Sequence, residues 1–248
     1  MRIEDKAVLI TGGNRGIGRA LVEEALKMGA KHVYVGTRTP VAQSDPRVTP
    51  LTLDVTDEAQ TRRAVEQVES LDVLVNNAGI ALYDDLSDES VLDQHLAVNF
   101  FGTYRVTQAF LPLLTRGGGA VVNNLSVNAF APLPLVPAYS ISKAAAFSLT
   151  QSLRTLLAGQ GVRVHAVLTG PVDTDMSRGV EIPKSSPESV ARAILDGVEK
   201  EEEDIFPDPM SGAMAEGWRG GAAKALEREY AAIAAAVVAN GATEVART

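Results

Sequence analysis

An α/β fold, a parallel sheet doubly wound with helices on both faces, is predicted by three observations. Short apolar runs alternate with helix-forming stretches from Lys6 to about Leu195, glycines separate the first apolar run from the first helix, and polar residues recur where the apolar runs end. Repeated strand-then-helix units with right-handed crossovers make the strands parallel and cover the sheet on both sides. Such sheets bind ligands beyond the carboxyl ends of their strands. Gly12, Arg38, Asp54, Asn76, Ser126 and Gly170 all fall at such ends, so they are read as one site.

The first unit is Ala7-Val8-Leu9-Ile10, then Thr11-Gly12-Gly13-Asn14-Arg15-Gly16-Ile17-Gly18, then a helix from Arg19 to about Leu26. Glycines let backbone amides approach a ligand closely, and the helix start behind them offers unpaired N–H groups and partial positive charge. A dinucleotide pyrophosphate suits that turn, although the spacing is not the commonest G-x-G-x-x-G. Gly29 stops the helix, and Lys31 to Gly36 is the second strand. An acidic residue at this strand's end usually takes ribose hydroxyls, whereas Arg accommodates a 2′-phosphate. Here Thr37-Arg38-Thr39 brings no carboxylate, and Arg15 is expected to converge with Arg38, so NADP(H) is expected over NAD(H).

Leu51 to Thr56 is read as the third strand with Asp54 at its end, and Thr56 followed by Asp57-Glu58 opens the next helix. Leu71 to Val75 is the fourth strand, ending in Asn76-Asn77-Ala78-Gly79. A helix over Leu92 to Leu114 follows and is broken by Gly117-Gly118-Gly119. Ala120 to Leu125 is the fifth strand, with Ser126 after it, and Val162 to Leu168 is the sixth. Ser186 opens a helix from Pro187. Glu199 to Asp204 is read as a solvated acidic segment, Asp204 to Phe206 as an edge strand, and Ala222 to Ala239 as a helix by propensity.

Between the fifth and sixth strands lies Tyr139-Ser140-Ile141-Ser142-Lys143. Ala144-Ala145-Ala146 favours helix, while Pro132, Pro134 and Pro137 forbid it upstream, so Tyr139 is placed near a helix entrance running to about Ala158. Residues four apart share one helix face. A cation beside a phenol favours its charged form, so Lys143 is expected to lower the pKa of Tyr139.

Composition sets the boundaries. The 248 residues are 46% hydrophobic and 22% charged, and no linker divides them. One domain over residues 1–248 is expected, with 200–248 as a C-terminal extension of short edge strand and Ala-rich helix. The absence of Cys excludes disulfides and thiolate chemistry, and His32, His95 and His165 are scattered, so no metal site is expected. A formal charge of −8 argues against nucleic acid. With no signal-peptide core and no run of 18 apolar residues, a cytoplasmic protein without membrane attachment is expected.

Thr11-Gly12-x-x-x-Gly16-Ile17-Gly18, Asn76-Asn77-Ala78-Gly79, Asn99, Ser126 and Tyr139-x-x-x-Lys143 together resemble the short-chain dehydrogenase/reductase family, from Lys6 to about Leu195. The resemblance implies a Rossmann-like fold and hydride transfer between NADP(H) and a small-molecule carbonyl or secondary alcohol. It makes Tyr139 the general acid/base, Ser126 the group orienting the carbonyl, Lys143 the holder of the nicotinamide ribose, and Asn99 the residue positioning a water. On the cofactor side it implies Gly12, Asn14, Arg15, Gly16, Ile17 and Gly18 at the pyrophosphate, with Thr37 and Arg38 at the 2′-phosphate. Asp54, Val55, Asn76, Ala78 and Gly79 fall on the adenosine side, and Gly170, Val172 and Thr174 at the nicotinamide, with Tyr139 and Lys143.

Three departures stand out. Thr169 occupies a place where the family usually has Pro, putting a hydroxyl near the nicotinamide. The connection after Thr174 is shorter than the usual lid, so an open pocket is expected. The family's glycine-rich final strand is not evident, which favours a homodimer through the helices of Asn99 and Tyr139, with the homotetramer as the alternative. Val127, Asn128, Phe130, Leu133, Val136 and Met176 are read as an apolar pocket for lipophilic or aromatic ketones and aldehydes. The rival reading is an NADP-sensing regulator or a scaffold without turnover, against which the complete Asn99, Ser126, Tyr139 and Lys143 set argues.

Overall fold

Runs rich in β-branched residues and too short for stable helices become strands. They are β1 (Ala7–Thr11), β2 (His32–Thr37), β3 (Val48–Thr52), β4 (Val73–Asn76), β5 (Ala120–Asn124), β6 (Arg163–Val167) and β7 (Asp204–Ile205). The structure, a computed structural model, describes residues 1–40, 44–179 and 181–239; residues 240–248 of the expected C-terminal extension lie outside the described residues. The strands form one sheet in the order β3-β2-β1-β4-β5-β6-β7, and every adjacent pair is parallel. This is the doubly wound, Rossmann-like architecture. Winding reverses between β1 and β4, the crevice where such sheets hold their ligands.

The helices are α1 (Gly16–Lys27), α2 (Glu58–Glu66), α3 (Glu89–His95), α4 (Thr103–Gly117), α5 (Pro137–Ala158), α6 (Pro187–Glu199), α7 (Pro209–Gly212), α8 (Ala215–Arg219) and α9 (Ala222–Ala239). One face of the sheet buries Val8, Ile10, Val33 and Val75 with Leu21 of α1 and Ile194 of α6. The other buries Leu9, Leu74 and Val121 with Ala64 of α2, Phe110 of α4 and Leu153 of α5. Alternate strand residues therefore serve opposite cores, which fixes the register.

Local expectations change in four places. The third strand is Val48–Thr52, so Asp54 stands beyond its end and Asp57, not Thr56, caps α2 by accepting from Gln60 N. β3 is an edge strand, where Pro50 needs no ladder N–H. The long helix begins at Glu89 behind the Asp88 cap, and its middle, Leu96–Gly102, is π-helical. Pro137 does not keep the helix away from its position; it is the first residue of α5, where its missing N–H costs nothing.

The fourth correction concerns the acidic segment. Asp204 and Lys224 are buried, with Lys224 Nζ 2.7 Å from Asp204 Oδ2, 2.9 Å from Glu203 Oε2 and 3.0 Å from Glu227 Oε2. Arg154 of α5 reaches Asp204 Oδ1 at 2.8 Å and also pairs with Glu227, and Trp218 Nε1 donates to Asp204 Oδ2. The segment is thus the centre of a network that fastens α8 and α9 to α5 and β7. Burial works against the Asp204 charge, but Arg154, Lys224 and Trp218 outweigh it and hold the carboxyl below its usual pKa. Removing one partner of a buried pair strands the other charge. Lys224→Met is expected to destabilise the fold by on the order of 3 kcal/mol in urea titration; an unchanged midpoint would show that the network contributes nothing.

Candidate active site

The glycine turn after β1 is shaped by close approach. Gly12 has φ +67° and Gly16 φ +51°. A Cβ on Gly18 would lie 2.2 Å from the Gly12 carbonyl oxygen, and one on Gly12 would lie 3.0 Å from Ala78 Cα. The turn therefore rests on the end of β4 with no room for side chains. α1 starts with no side-chain cap at Arg15, which leaves its first N–H groups for a ligand. Arg15 lies 3.8 Å from Asp175 Oδ2, and Arg38 at the end of β2 is exposed. Thr174 overhangs the turn, its Cγ2 3.1 Å from where a Gly16 Cβ would stand. Val172 and Gly170 follow β6 on this wall.

Thr11 explains how the Asn76-Asn77-Ala78-Gly79 motif is held. Its hydroxyl accepts from Asn77 N at 2.9 Å and Ala78 N at 3.0 Å. Asn76, expected on the adenosine side, turns its amide inward and donates to Thr107 Oγ1 at 2.9 Å and Asn123 Oδ1 at 2.8 Å. Buried at the end of β4, it satisfies interior acceptors rather than facing a ligand. Asn77, missed in the sequence reading, sends Nδ2 to the Thr11 carbonyl at 3.0 Å. Asp54 Oδ1 accepts from the Thr56 N–H and hydroxyl, and Val55 packs towards Gly102 while its carbonyl accepts from Arg105. Those two residues build the turn before α2. Thr37, at the end of β2, is buried, and its hydroxyl has no hydrogen-bond partner among the described residues.

At the other end of the crevice stand the four residues expected to carry chemistry. Ser126 follows β5, buried, its Oγ accepting from Asn128 N at 3.1 Å. Tyr139 sits in the first turn of α5, where the Ser126 side chain acts on its phenol and draws its pKa down. Lys143 lies one turn further on, with Nζ 5.6 Å from the Tyr139 ring centroid and donating to Asn124 O at 2.8 Å. Burial raises the Tyr139 pKa above its ordinary value, and Ser126 only partly opposes this. The expectation that Lys143 lowers it is corrected. The same burial, with no carboxylate nearby to offset it, pulls Lys143 itself down to about 8, so water is stripped from both groups together.

Asn99 lies in the π-helical stretch, where one extra residue per turn redirects side chains and often marks a functional position. Its side chain clasps Ile80, Oδ1 accepting from Ile80 N at 2.9 Å and Nδ2 donating to Ile80 O at 3.0 Å, with Ser142 Oγ at 2.9 Å. Its side-chain amide is thus bonded to protein groups on both atoms. A Cβ on Gly79 would lie 3.1 Å from Asn99 Oδ1, so this glycine lets the clasp form.

Three further residues were not legible. His95 is buried, with Nε2 accepting from Leu82 N at 3.0 Å and Nδ1 donating to Val91 O at 2.7 Å; an N–H partner on one nitrogen and a carbonyl on the other set its tautomer. Asp84 reaches back to Ala138 N at 3.3 Å, capping α5 from 54 positions away because Val136 offers no capping side chain. Asp208 accepts from Gly170 N at 2.7 Å and from Ser211. Thr169, expected to present a hydroxyl to the nicotinamide, donates instead to Asn124 Oδ1 at 2.8 Å.

Of the expected pocket, Leu133 and Met176 are exposed, while Phe130 is stacked on Trp218 with centroids 4.6 Å apart and edge-on to Phe147. Phe130 therefore belongs to the support beneath the Ser126 loop. Among the described residues no three His, Asp or Glu side chains cluster to hold a metal ion, and no helix is long and apolar enough to cross a membrane.

The residues fit a nicotinamide dinucleotide. The turn admits backbone approach, α1 starts without a side-chain cap, and Lys143 is a desolvated cation.

Comparison with known proteins gives the same direction. The family model for short chain dehydrogenase matches residues 6–184. Sorbitol dehydrogenase of Cereibacter sphaeroides is 35% identical over 208 residues, covering 77% of this chain and 80% of that protein. A crystal structure of a short chain dehydrogenase from Burkholderia cenocepacia in complex with NADP superposes with a TM-score of 0.83 at 37% identity, covering 89% of this chain and 95% of the other. ElxO with NADP bound gives a TM-score of 0.75 at 26% identity, covering 84% and 99%.

Proposed function

The chain belongs to the short chain dehydrogenase family, and from that premise we propose that it is an NADP(H)-dependent oxidoreductase interconverting a carbonyl compound and its alcohol. The observation that carries this reading is the gathering of Ser126, Tyr139 and Lys143 at the carboxyl end of the sheet. When bound, the nicotinamide supplies or accepts the hydride. In reduction, Tyr139 donates its proton to the carbonyl oxygen. Burial keeps the phenol protonated but makes it a weaker acid, so release of the proton depends on the positive charge that Lys143 places beside it. Ser126 donates to the same oxygen as negative charge develops, and a donor already in place lowers the barrier without reorganisation. Lys143, fixed by the Asn124 carbonyl, supplies positive charge next to the phenol and holds the ribose. Asn99 keeps Ile80 and the end of β4 against α5.

The glycine turn and the start of α1 would hold the pyrophosphate, and Thr37 with Arg38 the adenosine 2′-phosphate. The NADP seen in the Burkholderia cenocepacia protein supports that choice. Arg38→Ala is expected to weaken NADPH by about 10- to 100-fold, the worth of a charge-assisted hydrogen bond, while leaving NADH nearly unchanged. Fluorescence titration with both nucleotides measures this, and equal losses would remove Arg38 from phosphate reading. The substrate is read as a lipophilic ketone or aldehyde, supported by exposed Leu82, Leu133, Leu135 and Met176. A panel of carbonyl compounds assayed with NADPH and NADH tests the assignment. A homodimer in the cytoplasm completes the reading, with exposed Phe101, Tyr104 and Ile141 offering an apolar face on the helices of Asn99 and Tyr139.

A further inference from the structure

Thr169 lies at the end of β6, buried to 6% exposure, with a hydroxyl that the proposed chemistry does not use. That hydroxyl is the last member of a hydrogen-bonded chain running to the glycine turn. The direction of every bond follows from the far end. The carbonyl oxygen of Thr11 can only accept, so the Asn77 group 3.0 Å from it must be the NH2. Asn77 Oδ1 then faces Asn124 and accepts from its Nδ2 at 3.0 Å. Asn124 is left with Oδ1 towards Thr169, 2.8 Å away, and the threonine must donate. Neither amide can flip without placing two donors or two acceptors face to face.

Two catalytic attachments hang on this chain. The backbone carbonyl of Asn124 receives Lys143 Nζ at 2.8 Å, and the backbone carbonyl of Thr169 receives Val127 N at 3.1 Å, next to Ser126. A single side chain thus stands where the glycine turn, the Lys143 anchor and the Ser126 loop meet. We infer that Thr169 is a positioning residue, its hydroxyl holding Asn124 and Asn77 in the orientations that fix the glycine turn relative to Lys143. The inference rests on the oxidoreductase reading for its catalytic consequence, though not for its structural one. Proline, which the family usually has here, offers no hydroxyl, so the bond to Asn124 depends on the threonine.

The test compares Thr169→Val, which keeps shape and removes the donor, with Thr169→Ser, which keeps the donor. Hydrogen exchange of the backbone amides of residues 12–18 is read in the full chain without nucleotide. Leaving a buried acceptor unpaired corresponds to about ten-fold in an equilibrium, so Thr169→Val should speed that exchange about ten-fold and Thr169→Ser should leave it close to wild type. With NADPH, Thr169→Val should raise the Kd and the KM for NADPH by a similar factor while changing kcat far less, again with Thr169→Ser restoring both. Unchanged exchange in Thr169→Val, or equal damage in Thr169→Ser, would overturn the inference. Failure of the wild-type chain to bind NADPH would instead count against the oxidoreductase reading, and the exchange comparison would still decide the role of Thr169.

Discussion

Tyr139→Phe is expected to lower kcat by about 100- to 10,000-fold, the usual contribution of a positioned general acid or base, while NADPH affinity stays within a few-fold of wild type. The asymmetry comes from what the substitution removes. The ring stays in the first turn of α5, where it meets His95 edge-on at 6.3 Å, and Ser126 keeps its bond from Asn128 N. Only the proton that must reach the carbonyl oxygen is lost. Steady-state turnover alongside nucleotide titration separates the two effects. Turnover near the wild-type level would take the acid/base role away from Tyr139.

Lys143→Met should move stability and activity in opposite directions. Burial lowers the Lys143 pKa from 10.5 to about 8, so the folded state disfavours the ammonium that the unfolded chain tolerates freely. For a lysine depressed on folding, the penalty is complete below about 8 and fades as pH rises towards 10.5, where the unfolded chain also loses its proton. At pH 7 the methionine variant should therefore be more stable by on the order of 2 to 3 kcal/mol, and the advantage should shrink between pH 8 and 10.5. Turnover should fall steeply across the same substitution, because the ribose anchor and the charge beside Tyr139 disappear together. Urea unfolding at pH 7 and near pH 10 measures the first effect. A variant less stable than wild type at pH 7 would show that the Asn124 carbonyl bond outweighs desolvation. Stability is given up at a functional site of this kind because the charge is needed there.

The sheet was legible because its information is local. Val8 to Ile10, Val33 to Val35, Val73 to Val75 and Val121 to Val122 carry mostly apolar side chains to both faces, and a parallel sheet buries both. The order of Ser126, Tyr139 and Lys143 was legible for a similar reason, since strand end and helix turn each fix their residues by sequence spacing. What failed to show was everything that depends on a distant partner. Lys224 reads as a surface residue of an Ala-rich helix until Asp204 and Glu203 are brought to it from the sheet edge. Asp84 is an ordinary loop aspartate until α5 starts beside it with an uncapped terminus. Asn76 and Asn77 are adjacent and chemically identical, yet the pleat sends one to the interior of the sheet and the other to the glycine turn. The π-helical stretch around Asn99 carries no Pro or Gly pair that would announce it, and the Asn99 side chain within it bonds to Ile80 and Ser142 from distant elements.

The central claim is that Ser126, Tyr139 and Lys143 surround the reacting carbon of a phosphorylated nicotinamide. Its most direct measurement uses NADPH carrying deuterium at the nicotinamide C4 position, incubated with the chain and a panel of lipophilic ketones and aldehydes, followed by mass spectrometry of the alcohols. Deuterium is predicted on the carbinol carbon of at least one product, on a single face, with none above background in the Tyr139→Phe variant. Tight NADPH binding with no label reaching any alcohol, or equal labelling by Tyr139→Phe, would contradict it.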